Sequence, residues 1–227
     1  MYAAYEGVEY RYYRSASKLT WLAQLFGLLA LILMLVWLLH YREGLDLDSD
    51  DNLNRIFNVH PFLMYFGFIF FAGQAMMAYK TVMAARDVQK FTHMLFHMIA
   101  ICLGIVGIHA VFKFHDRANI GNMYSLHSWI GISTFSLYIL QWVIGLVVFL
   151  FPYASQETRS RLAPWHITGG RALLYMAICA AETGLMQKAT FLKLQFTRES
   201  TLINILGVVI LLFGISVDIS VALSRYV

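Results

Sequence analysis

Six apolar stretches, at 22–39, 60–79, 93–111, 126–151, 166–186 and 202–222, make up most of this chain and limit what it can become. A helix needs roughly 20 mainly apolar residues to cross a hydrocarbon core, and each stretch approaches or meets that length. The predicted architecture is therefore all-α: an integral, multi-pass membrane protein with six transmembrane helices. Composition agrees, because 59% of the 227 residues are hydrophobic and 13% charged, where a soluble domain carries about 25% charged residues. Short connections make successive helices antiparallel neighbours.

The formal charge of +4 is scattered over short loops, so no nucleic-acid partner is expected. Cys102 and Cys179 both lie inside apolar runs, which does not indicate a disulfide framework. The first stretch is too long for a cleavable signal and no small-residue cleavage site follows it. The chain thus reads as one transmembrane domain, 1–227, with a short cytoplasmic N-terminal segment, 1–20. Loop basicity orients it. Arg11, Arg14, Lys18, Lys80, Arg86, Lys90, Arg159, Arg161 and Arg225 fall on the side of the termini. Arg42, Arg55, Lys113, Arg117, Lys188, Lys193 and Arg198 fall opposite. Nine against seven favours cytoplasmic termini.

Eight histidines occur, and four share a positional logic: His60 opens the second stretch, His93 the third, His127 the fourth and His166 the fifth. Polar side chains in spans are costly and therefore functional candidates. Alternating helix direction puts His60 with His127 near one surface, and His93 with His166 near the other. Two neutral imidazoles facing each other across a four-helix core are the axial donor set of haem iron. Two haems are expected, clamped by helices two to five, with irons on the order of 15–20 Å apart. His97, one turn beyond His93, either packs or hydrogen-bonds within the pocket. His40 and His109 lie near span ends, and His115 is expected in the loop before the fourth span. The first and sixth helices carry no such histidine and are expected to pack around the core.

These landmarks accompany a set of short motifs: HYREGL at 40–45, FNVHP at 57–61, AYK at 78–80, YSLHSW at 124–129, LQW at 140–142, FP at 151–152, PWH at 164–166 and TFL at 190–192. In this order and spacing the chain resembles the eukaryotic cytochrome b561 family of transmembrane ascorbate-dependent oxidoreductases, plant members above all. The resemblance implies that His60, His127, His93 and His166 ligate two b-type haems. It implies ascorbate oxidation at the cytoplasmic face and electron delivery to monodehydroascorbate or a ferric chelate opposite. It also implies a homodimer in an endomembrane (vacuolar, vesicular or endosomal) or the plasma membrane.

Ascorbate is a monoanion at neutral pH, and Lys80, Arg86, Lys90 and Arg159 supply positive charge on the cytoplasmic side. Lys113, Phe114, His115, Asn122 and Tyr124 correspond to the family's second substrate site. Ser125 and Arg171 are candidate partners of haem propionates. Arg171, Glu182 and Asp218 stand inside predicted spans, where charge is costly. Gln187 and Arg86 depart from the family pattern, which bears on substrate preference. Two other readings remain open: a di-haem subunit fed by a quinol or protein partner, and a haem-free membrane scaffold.

Overall fold

The structure is a computed structural model that describes residues 2–223 apart from Pro152, with side chains described from Lys18 onward. Arg225 and the proline of the FP motif therefore lie outside the described residues, as do the side chains of Arg11 and Arg14. Among the described residues all regular structure is helical: α1 (Tyr2–Val36), α2 (Leu53–Phe62), α3 (Phe71–Thr81), α4 (Arg86–Ala118), α5 (Leu126–Gly145), α6 (Gln156–Phe191) and α7 (Arg198–Leu223). A π-helical segment, Leu63–Phe70, joins α2 and α3 into one rod. Pro61 sits just before it. A proline cannot give an N–H to the carbonyl four residues back, and the wider turn absorbs that break.

Five rods are long and apolar enough to cross a membrane: Lys18–Tyr41, Leu53–Thr81, Arg86–Ala118, Leu126–Leu150 and Arg198–Leu223. The chain is thus multi-pass. The predicted 166–186 span lies within α6, which has 36 residues and ample length. Its apolar run is interrupted by Arg171 and Glu182, so it falls short of the others in hydropathy. Leucine, isoleucine and valine side chains stand exposed along α1, α4, α5 and α7, as on a lipid-facing surface.

The helices reach further than the apolar stretches do. His60 and His93 each sit two turns inside α2 and α4, and His166 three turns inside α6; of the four, His127 alone is at a helix start. Lys113 and His115 ride the last turns of α4 instead of a loop, because Lys-Phe-His-Asp-Arg-Ala tolerates helix in water. The helix stops at Asn119, whose left-handed φ of 54° is a conformation asparagine tolerates. Arg86 and Lys90 likewise belong to the first turns of α4. Helix entries are capped by side-chain oxygens: Asn52 for α2, Ser125 for α5 and Ser155 for α6.

α1 and α7 pack together on one flank of the α2–α6 assembly. Phe213 of α7 is fully buried where α1, α3 and α7 converge. A Cβ on Gly73 would come within 2.5 Å of its ring, so only glycine permits that approach. Polar pairs replace water between the helices: Gln24 with Gln74 through both amides (2.8 and 2.9 Å), Thr20 with Ser220 (2.6 Å), and the Tyr65 hydroxyl donating to the Gly27 carbonyl (2.7 Å).

Of the three charges inside the predicted spans, Arg171 and Asp218 neutralise each other, while Glu182 packs its carboxylate against Gly207 of α7. Arg171 of α6 grips Asp218 of α7 through Nε and, at 3.0 Å, through Nη2, and the Tyr175 hydroxyl donates to the same carboxylate at 3.2 Å. The observed partner of Arg171 is therefore a protein carboxylate, in place of the propionate expected from its nearness to His166. Removing one member of such a pair strands the other charge. Asp218→Ala is expected to cost about 3–5 kcal/mol, and Arg171→Met with Asp218→Leu to recover most of it. Unfolding in detergent micelles checks this; wild-type stability in D218A contradicts it.

Candidate functional site

Three of the four histidines are fixed by the same device, a ring Nδ1 facing a main-chain carbonyl of another helix. His60 reaches the Gly107 carbonyl of α4 (3.0 Å), His93 the Ala75 carbonyl of α3 (2.8 Å) and His127 the Ala180 carbonyl of α6 (2.8 Å). A carbonyl only accepts, so each Nδ1 carries the proton and each Nε2 presents a lone pair. The fourth ring is placed by shape: His166 lies against Gly145, where a Cβ would stand 3.0 Å from its Cε1, and Phe149 flanks it at 5.1 Å. Gly184 does the same for His127, with a Cβ position 2.8 Å from the ring.

The rings meet in two pairs, as their spacing predicts. His60 and His127 have centroids 6.0 Å apart with planes at 84°; His93 and His166 are 6.2 Å apart at 67°. One metal ion bonded to a nitrogen on each side at about 2.0–2.1 Å sets two imidazole centroids about 6 Å apart, so each pair fits a single ion. Among the described residues no group of three or more His, Cys, Asp or Glu side chains is assembled for a metal. Two opposed imidazoles suit an ion whose remaining ligands come from a macrocycle, the arrangement of haem iron. His60 and the acceptor of the His93 bond, Ala75, lie on one rod, separated by about 20 Å of helix. The pairs therefore occupy opposite ends of the bundle.

A cavity of about 510 Å³ opens at the His93–His166 end. Lys80, Arg86 and Lys90 line it together with both imidazoles, which unites three of the four cations singled out in the sequence. Arg86 is stacked over the Tyr79 ring at 4.4 Å. Arg159 is not among the lining residues and instead donates to the Phe151 carbonyl (3.1 Å). The sequence reading missed three polar wall residues. Tyr138 shares a 2.5 Å hydrogen bond with His97, whose ring lies 4.5 Å from that of His93; Gln141 donates to the His166 carbonyl (2.8 Å); and Trp142 donates to the Met94 carbonyl (3.2 Å). Gln141 and Trp142 lie in the LQW motif, which marks the family without giving them a role, and Tyr138 reads as packing because a tyrosine in a span has that ordinary explanation.

At the other end, His115 donates from Nδ1 to Asn122 (2.9 Å) and lies 6.4 Å from the Tyr124 ring; Tyr124 in turn accepts from Gln187 (3.3 Å). Phe114 packs on Phe57 at 5.2 Å. Lys113 is turned onto the 42–52 loop, donating to the Leu47 carbonyl (2.8 Å) and Asp48 (2.6 Å), while Arg117 joins Asp48 to Asp50. The Lys113 hydrogen bond and charge, with Arg117, hold the Asp48 carboxyl below the usual carboxylate range. Ser125 is the N-cap of α5, accepting from the Ser128 N–H (3.2 Å) and paired with the Ser128 hydroxyl (2.9 Å).

Comparison with known proteins places this arrangement. A transmembrane ascorbate ferrireductase 1 of Arabidopsis thaliana is 42% identical over 204 residues, covering 88% of this chain and 85% of its own length. A probable ascorbate-specific transmembrane electron transporter 1 of Oryza sativa subsp. japonica is 40% identical over 210 residues, 90% of this chain and 89% of its own. A plasma membrane ascorbate-dependent reductase of Xenopus laevis is 40% identical over 198 residues, 84% and 69% respectively. The profile of the eukaryotic cytochrome b561 family matches residues 59–192, a stretch that contains all four paired histidines. Motif order, paired imidazoles and sequence identity agree, and this chain belongs to the eukaryotic cytochrome b561 family.

Proposed function

We propose that the protein is a transmembrane oxidoreductase that takes electrons from cytoplasmic ascorbate and delivers them to monodehydroascorbate or a ferric chelate across the membrane, using two haems b. The observation that carries this reading is a cavity in which His93 and His166 oppose each other beside Lys80, Arg86 and Lys90. Family membership implies haem b, and the related proteins are named for ascorbate-dependent reduction.

The four histidines would hold the cofactors through Nε2, His93 with His166 and His60 with His127. Bound there, haem b supplies a one-electron couple. The chain's own residues do the rest. Lys80, Arg86 and Lys90 raise the local concentration of an anionic donor and orient it beside the His93–His166 pair. Tyr79 keeps the Arg86 guanidinium in place from below. The carbonyls of Ala75, Gly107 and Ala180 keep the proton on Nδ1 of their histidines and so hold Nε2 ready. Phe114, His115, Asn122 and Tyr124 form the acceptor mouth at the far end, with Lys113 fastening the neighbouring loop.

The 166–186 segment of α6 serves as a sixth span in this reading. The ion pair with α7 neutralises Arg171 and makes the crossing tolerable. Helices α2 to α6 then form the di-haem core of one domain, 1–227, with both termini cytoplasmic. The family resemblance carries the homodimer and the endomembrane or plasma-membrane address.

Protein purified in detergent is expected to show low-spin b-type spectra bleached and restored by ferricyanide and ascorbate. In sealed proteoliposomes, internal ascorbate is expected to reduce an external ferric chelate. Reduction by a quinol but not by ascorbate contradicts the donor assignment. Lys90→Ala is expected to raise the KM for ascorbate by about tenfold, about 1.4 kcal/mol, with a weaker salt dependence; an unchanged KM contradicts the anion site. Gly184→Val forces a side chain onto His127 and is expected to remove one haem of two, a loss read from the haem-to-protein ratio. A full complement in G184V contradicts the seating of His127.

A further inference from the structure

Lys188 lies where nothing in the proposed electron path has yet used it. Ala180, Gly184 and Lys188 follow one another at four-residue intervals on a single face of α6. Ala180 and Gly184 seat the His127 ring, so Lys188 is the next group outward on that same face. Its ammonium reaches across to α2, 3.6 Å from the centre of the Phe57 ring, and lies 5.9 Å from Phe114. Phe57 in turn contacts His60, with centroids 6.3 Å apart. The cation therefore reaches the His60–His127 end from α6, over the Phe57 ring that contacts His60.

Among the described residues Lys188 takes part in no ion pair. The acid brought near it by α7, Glu199, is already engaged: Trp37 Nε1 donates to its Oε1 at 2.8 Å and Arg42 pairs with its Oε2. Lys188 is half-buried at the end of a membrane helix and supported by aromatic faces, not by a carboxylate. Such a charge is costly unless an anion completes it, and the aromatic support keeps it aimed while it waits.

We propose that Lys188 is a carboxylate-anchoring residue at the His60–His127 end. Two carboxylates can arrive there: a propionate of the haem held by that pair, or a carboxylate of an incoming ferric chelate such as ferric citrate. Both are recognised by the same charge-assisted hydrogen bond from Nζ. The inference rests on the haem reading above. Wild-type protein without haem at this pair sinks that reading, whereas full haem with an indifferent Lys188 sinks this inference alone.

The test uses full-length, haem-loaded K188M and K188R, with three measurements: the midpoint potential of each haem, the low-spin EPR signals, and the KM for ferric citrate. A propionate partner lowers the potential of the His60–His127 haem in K188M while the other haem and the KM stay unchanged. A chelate partner raises the KM for ferric citrate by about five- to tenfold while both potentials stay unchanged. K188R stays close to wild type in either case. If K188M sheds the outer haem, its retention in K188R supports the anchor, and its loss from both variants assigns Lys188 to packing and overturns the proposal. Unchanged potentials and KM in K188M carrying two haems also overturn it.

Discussion

An imidazole N–H donated to a main-chain carbonyl of a different helix is the interaction on which the site depends. His60 is tied in this way to Gly107, His93 to Ala75 and His127 to Ala180. Each bond satisfies a buried donor, selects the tautomer and fixes the ring about its own axis. Each also crosses a helix interface, so ring orientation is a property of packing between α2, α3, α4, α5 and α6 and not of any one helix. Glycine sits at the closest approaches for the same reason. At Gly107 a Cβ would come within 2.8 Å of the Met64 side chain, and at Gly184 within 2.8 Å of His127 itself. A larger residue at either position separates the helices and moves the ring.

Around this core the bundle is held by polar contacts whose strength comes from the absence of competing water. Arg171, Asp218 and Tyr175 couple α6 to α7, and the reciprocal Gln24–Gln74 amides couple α1 to α3. Arg42, Glu199 and Trp37 fasten the end of α1 to the start of α7. The Asn58 amide closes the same corner by donating to the carbonyls of Arg42 and Gly44, both at 2.7 Å. α1 and α7 contribute no paired histidine, and their contacts show what they do contribute. They brace the helices that do.

Hydropathy and the alternation of helix direction made the apolar rods and the two histidine pairs legible in the sequence, because both follow from one-dimensional spacing. The ends of the helices were less so. His115 and Arg86 look like loop residues by polarity, yet helix geometry extends beyond the apolar region, from Arg86 to the stop at Asn119. The partner of Arg171 was not legible at all, since Asp218 lies 47 residues away on α7 and only packing brings them together. Tyr138 and Lys188 were passed over because a tyrosine in a span and a lysine at a helix end each have an ordinary explanation. Their contacts with His97 and Phe57 arise from tertiary structure alone.

Whether four histidines make two separate haem sites is read from the number of haems the protein binds. A pyridine haemochrome assay on purified wild-type protein, His60→Ala and His166→Ala, with EPR on each, is decisive. Two haems b per chain are expected in the wild type and one in each variant, with a different low-spin signal remaining in the two variants. One haem per wild-type chain, or the same signal surviving in both variants, would contradict two separate sites.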